Sequence, residues 1–164
     1  MPRPSSLSID LKALSNNAAT TRRLVGNGKI LASVKANAYG HGMVEVAQAL
    51  AEVAPAFGVA CIEEALELRD AGICQPILLL EGTFSADEVN TAALKGLWLM
   101  VENHPQKEAI LNADIAQPVN VWLGVDTGMH RLGFPLPARP QLEAGLEHAL
   151  QLELGHLQPV LLEV

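Results

Sequence analysis

Cysteine, basic charge and long apolar runs are all scarce in this chain, and each shortage closes off a class of protein. The two cysteines, Cys61 and Cys74, stand in apolar surroundings at a spacing that suits no metal site. They are expected to be buried core thiols of a cytosolic protein. Lys and Arg number 11 against 18 Asp and Glu, a net charge of −7, and no basic block occurs. That balance argues against nucleic acid or an anionic membrane surface as partner. No apolar run approaches the roughly 20 residues of a membrane span, and the opening Met-Pro-Arg-Pro-Ser-Ser lacks a signal-peptide core. A soluble, cytoplasmic protein is the expectation. Tyrosine is the last shortage: Tyr39 is the only one.

What is present is an ordinary globular composition. The 164 residues are 49% hydrophobic and 18% charged, enough for one domain with a sizeable core. Short apolar runs, the strand candidates, fall at Leu7–Asp10, Ile30–Val34, Phe57–Ala60, Ile77–Leu80, Leu97–Val101, Val119–Gly124 and Pro159–Leu162. Helix candidates lie between them at Leu11–Val25, Met43–Ala54, Ile62–Ala71, Ala86–Lys95, Pro105–Ala113 and Arg139–Leu150. Asp10 can cap the first helix, and Ser85 with Glu88 reads as a capping box. Ile62, Ala65, Leu66 and Leu68 make an apolar stripe that Gly72 ends. Strands apolar throughout and separated by helices imply a parallel sheet covered on its faces. Periodicity alone fits a doubly wound sheet or part of a (β/α)8 barrel equally well.

One run concentrates the chemistry: Val34-Lys35-Ala36-Asn37-Ala38-Tyr39-Gly40-His41-Gly42. It places a lysine at the end of an apolar strand, followed by a glycine-punctuated turn and a helix from Met43. Burial disfavours the charged form of lysine, so the position is expensive unless the amine has work to do. The usual work is nucleophilic, a Schiff base with a carbonyl or with pyridoxal phosphate.

This nonapeptide resembles the cofactor-lysine signature of the pyridoxal-phosphate-dependent alanine racemases. A second run, Val125-Asp126-Thr127-Gly128-Met129-His130-Arg131-Leu132-Gly133-Phe134, resembles that family's second signature, in the same order. Phe57–Ala65 and Pro76–Gly82 fit the pattern between them, so the resemblance runs from about Ser6 to Phe134. It implies an N-terminal (β/α)8 barrel of the TIM type, here incomplete, followed in the family by a mostly β C-terminal domain. Residues 1–10 would then supply a strand that joins the C-terminal domain, and residues 30–164 would form barrel strands and helices. A complete barrel takes about 250 residues, so the chain is expected to stop inside its barrel without the C-terminal domain.

By this resemblance Lys35 binds pyridoxal 5'-phosphate covalently and moves the substrate α-proton on one face. Tyr39 resembles the tyrosine that hydrogen-bonds the cofactor phosphate, with Gly40 and Gly42 permitting close backbone approach. Arg131 resembles the arginine near the cofactor's phenolic oxygen that helps hold the substrate carboxylate, a task suited to its fork of donors. Met129 matches a position whose backbone faces that carboxylate. Asn37 and His41 read as loop-shaping. No metal is implied: His104, His130, His148 and His156 lack ligand spacing. Glu63 and Glu64 read as the first turn of a helix, where carboxylates suit the macrodipole.

Departures from the family pattern matter as much. Gly124 stands where alanine racemases commonly carry a lysine, often carbamylated, that props the arginine. The family's second base is a tyrosine from the partner subunit's C-terminal domain, and the only tyrosine here is already assigned to the phosphate. Arg139, in a Pro-Ala-Arg-Pro stretch, is the one arginine after Arg131. The expected activity is interconversion of L- and D-alanine in the complete protein, a homodimer, with D-alanine supplied to peptidoglycan. The 164 residues alone are expected to be inactive. A non-catalytic cofactor-binding barrel, a racemase for another small amino acid such as serine, and an inert fragment remain as alternatives.

Overall fold

The structure is a computed structural model that describes residues 6–135. The strand expected at Pro159–Leu162, the helix at Arg139–Leu150, and Arg139, His148 and His156 lie outside the described residues. The chain falls into two compact units. The first runs to Val59 and includes Glu63–Ile77; the second comprises Ala60–Ile62 and the chain from Leu78 onward.

In the first unit, α1 (Leu11–Leu24) opens with Asp10, whose side chain accepts the Ala13 amide at 2.9 Å. That bond satisfies one of the orphan donors of a helix start. No residue of α1 is buried; Ser15 Oγ donates to Ala49 O at 2.9 Å, tying the helix to α3 (Met43–Leu50). Strand β1 (Leu31–Ser33) pairs in parallel with β2 (Ala56–Val59), Ala32 opposite Phe57. β2 is buried along its whole length, as expected for a strand covered on both faces. The Phe57 amide donates to Pro76 O at 2.9 Å, so the approach to β3 (Ile77–Leu79) runs beside β2. Helix α4 (Ile62–Asp70) buries Ala65 and Leu68 and ends at Gly72, where a φ of +84° allows the Schellman-type turn.

In the second unit β3, β4 (Trp98–Val101) and β5 (Asn120–Leu123) are consecutive parallel neighbours, with Leu79 opposite Leu99 and Met100 opposite Trp122. The rings of Trp98 and Trp122 stack at 5.6 Å between centroids. Two helices alternate with these strands, α5 (Ala86–Lys95) and α6 (His104–Leu111). Ser85 Oγ accepts the Glu88 amide, but the Glu88 carboxylate reaches back to the Phe84 amide rather than to Ser85. The capping box is present with its return arm shifted by one residue. Beyond Gly124, short strands β6 (Val125–Asp126) and β7 (Phe134–Pro135) pair with each other.

Alternating strands and helices with parallel neighbours are what a stretch of (β/α)8 barrel requires. Two expectations fail. Residues 6–10 form no strand, because among the described residues no strand pairs with them, and Asp10 O instead accepts the Leu14 amide at the start of α1. Nor are the cysteines core residues: Cys61 is half-buried, and Cys74 is exposed in the loop before β3, its thiol on Gly72 O.

Candidate active site

The two sequence runs form two turns, each at the C-terminal end of a parallel strand. In barrels of this type that end is where functional side chains gather.

In the first unit the chain leaves β1 through Val34, which is 1% exposed and donates its amide to Gly58 O at 2.8 Å. Lys35 follows, half-buried, as the first residue of α2 (Lys35–Gly40). Here the expected glycine-punctuated turn proves to have a defined handedness. Ala36, Asn37, Ala38 and Tyr39 all have φ between 52° and 54° and ψ between 37° and 48°, a full left-handed helical turn. None is glycine, and each such residue costs about 1–2 kcal/mol.

Specific bonds hold the turn. The Ala36 amide donates to Glu64 Oε1 at 2.7 Å, and the Ala38 amide to Val34 O at 2.8 Å. Asn37 Oδ1 accepts the Met43 amide at 2.8 Å, serving the start of α3, where Gly42 has no side chain to do so. His41 Nδ1 lies 2.8 Å from Ala38 O. Gly40 and Gly42, with φ of +86° and +90°, carry the chain out of the turn. The result sets Lys35 and Tyr39 in one turn, with the phenol 64% exposed. Sequence reasoning gave Asn37 only a general shaping role and missed Glu64, which acts from 28 residues away. A separate cleft of about 200 Å³, lined by Arg22, Lys29 and Glu52 among others, lies at the other end of β1. Neither Lys35 nor Tyr39 lines it.

In the second unit Asp126 organises the loop. Its Oδ1 accepts the amides of Gly128 at 2.9 Å and His130 at 3.0 Å, and its Oδ2 lies 2.8 Å from His130 Nδ1. The His130 amide first, then the Gly128 amide, hold the Asp126 carboxyl down to about 2, with the His130 ring adding to the effect. Met129, 63% exposed, and Arg131, also exposed, stand on this loop. The loop closes on its own base: the Phe134 amide donates to Gly124 O at 2.9 Å. A Cβ on Gly133 would lie 2.8 Å from Asp126 N, so only glycine fits that return. Phe134 is buried and meets the His104 ring edge-on at 5.3 Å.

Gly124 is not simply vacant space. A Cβ there would lie 2.9 Å from Glu102 Cγ and 3.5 Å from its Oε1. Among the described residues no group of three or more His, Cys, Asp or Glu is placed to hold a metal, and no helix is long and apolar enough to cross a membrane.

Comparison with known proteins places the chain in a family. Residues 9–159 match the family model described as alanine racemase, N-terminal domain. The catabolic alanine racemase of Pseudomonas aeruginosa is 53% identical over 132 residues, 80% of this chain and 37% of that protein. The alanine racemase of Chromohalobacter salexigens is 48% identical over 158 residues, 94% of this chain and 43% of its own length. Among solved structures, the biosynthetic alanine racemase from Pseudomonas aeruginosa superposes with a TM-score of 0.81 at 45% identity, over 85% of this chain and 39% of that one. The chain thus spans well under half the length of the relatives it matches.

Proposed function

This chain belongs to the alanine racemase family through its N-terminal domain, and from that premise we propose that it is the pyridoxal-phosphate-binding part of an enzyme interconverting L- and D-alanine. The observation that carries the proposal is the Lys35 turn. A primary amine leaves the C-terminal end of β1, and a left-handed turn sets an exposed phenol on the same short segment. An aldehyde bearing a phosphate needs these two groups, an amine to bond it and a donor to hold its anion.

Bound there, pyridoxal phosphate would supply an electron-withdrawing ring that acidifies the α-hydrogen of an amino acid. Lys35 Nζ would hold the cofactor covalently, and the same amine would take or return the α-proton on one face. Tyr39 donates its hydroxyl hydrogen to the phosphate. The Arg131 guanidinium grips the substrate carboxylate, and the Met129 backbone faces it. Residues 30–164 supply barrel strands and helices in this reading, and residues 1–10 belong with the C-terminal domain. The second base comes from residues beyond these 164, as Tyr39 is the only tyrosine and is already committed. The complete protein is a cytoplasmic homodimer that supplies D-alanine to peptidoglycan, with neither nucleic acid nor membrane as partner.

Equilibrium dialysis against pyridoxal phosphate tests the cofactor assignment. Lys35→Ala is expected to abolish saturable binding, and Tyr39→Phe to weaken it about tenfold, the worth of one hydrogen bond to an anion. Equal affinity in wild type and Lys35→Ala would overturn it. In the same preparations D-alanine formation should not exceed the cofactor-only rate.

A further inference from the structure

The Glu102 side chain, on the strand end beside Gly124, fills the space that any side chain at position 124 would need. A Cβ built on Gly124 lies 2.9 Å from Glu102 Cγ, closer than real carbon atoms approach. The glycine and the glutamate are therefore a fitted pair, and the carboxylate sits where a residue-124 side chain would emerge.

The backbone at Glu102 is also fixed. Its amide donates to Gln106 Oε1 at 2.9 Å, and Gln106 Nε2 donates to Glu81 O at 2.7 Å. Gln106 is 9% exposed, one of two buried polar side chains among the described residues, and both ends of its amide are used. Burying that amide stabilises only if its bonds are made. It clamps the segment after β3 to the segment after β4 and fixes the backbone from which Glu102 projects.

Within the second unit few cations could answer this carboxylate. The described part of the second unit has three Lys and Arg residues: Lys95, Lys107 and Arg131. Lys95 ends α5, and in a parallel β/α unit a helix ends near the start of the next strand, away from the strand end that carries Glu102. Lys107 is paired with Glu108 at 3.3 Å. Arg131 stands two residues before Gly133, whose Cβ would touch the Gly124 carbonyl carbon at 3.1 Å. Two residues span at most about 7 Å, so the long arginine side chain starts within reach of residue 124.

We propose that Glu102 is a positioning residue for Arg131: its carboxylate occupies the volume left by Gly124 and pairs with the guanidinium. The inference rests on the reading that Arg131 grips an anion in the site. It adds that the arginine is aimed by a carboxylate from the neighbouring strand rather than by a side chain at 124.

Nitrogen-15 NMR of the Arg131 Nε–Hε group, in the full chain without cofactor and assigned with Arg131→Lys, tests the pairing. In Glu102→Gln, which keeps the shape and removes the charge, solvent exchange at Hε should rise about tenfold, the loss of one charge-assisted bond. Glu102→Asp should recover part of the protection. An Hε unchanged in Glu102→Gln overturns the proposal. Should Glu102→Gln fail to give a folded backbone spectrum, Gly124→Ala decides. Its Cβ displaces Glu102, so the Arg131 signal must move, and a folded Gly124→Ala with the wild-type Arg131 signal overturns the proposal equally. Because no cofactor is present, failure here leaves the Lys35 assignment standing, and failure of cofactor binding at Lys35 leaves this result readable.

Discussion

The turn after β1 and the loop after β6 each present candidate site residues at a strand end, yet they are held in opposite ways. The first bends four non-glycine residues into left-handed geometry and is restrained from outside, by Glu64 on α4 and by the start of α3. The second is restrained largely from within: the Asp126 carboxylate accepts the amides of Gly128 and His130, and Gly133 closes the loop on its own base. Strain in the first is distributed over ordinary residues and offset at a distance. In the second, glycine takes the forbidden geometry at Gly128 and Gly133, leaving His130 as the only non-glycine residue at positive φ. The backbone of a turn held from outside can be loosened by changes far along the chain; that of a loop held largely from within is most sensitive to changes in itself.

Substitutions in each turn sharpen the contrast. The largest effect is expected for Gly133→Ala, whose Cβ would press on backbone that cannot yield and whose φ of +96° already disfavours it. Destabilisation of about 3 kcal/mol, read by urea unfolding, is expected. Next comes Glu64→Ala, which leaves the Ala36 amide without its carboxylate partner. It should cost about 1–2 kcal/mol and weaken cofactor binding at Lys35 although residue 64 is 29 positions away in sequence. Asn37→Ala should cost about 1 kcal/mol, as loss of a helix cap does. Smallest and opposite in sign is Ala36→Gly. In an ordinary helix glycine destabilises, but at a φ of 52° it relieves strain, so a gain of up to about 1 kcal/mol is expected. A loss at that position would break the contrast.

Acid separates the two turns without mutation. A carboxyl whose folded pKa is depressed contributes stability that is complete above its unfolded value of about 3.9 and is lost as pH falls through the folded value. For Asp126 the loss therefore falls between about pH 4 and about 2. Protection of the Gly128 and His130 amides from hydrogen exchange, measured against the intrinsic rate at each pH, should fall over that window, and Asp126→Asn should show the lower protection at every pH.

How much of this was legible beforehand follows the same division. Parallel strands and covering helices could be read from apolar runs because buried strands leave an unbroken signal, and the strand from Trp98 and the helix from Ala86 lie within a residue of expectation. The opening strand at 7–10 could not, since strand formation needs a partner that local sequence does not reveal. Lys35, Tyr39, Met129 and Arg131 are legible as candidates because they are residue types in a pattern, and the structure sets them on two strand-end turns. The left-handed conformation between Lys35 and Tyr39 was hidden, because alanine, asparagine and tyrosine carry no local preference strong enough to announce it. Glu64 and Glu102 were missed for a related reason: each acts on another segment, 28 residues away for Glu64, and looks locally like a helix-start or strand-end acid.

Covalent trapping tests the central claim, that the β1 turn makes Lys35 the cofactor's attachment point. Mixing the purified chain with pyridoxal phosphate, reducing with borohydride and mapping the modified peptide by mass spectrometry should give one adduct, on Lys35, absent in Lys35→Ala. Adducts spread over several lysines, or a single adduct elsewhere, would contradict it.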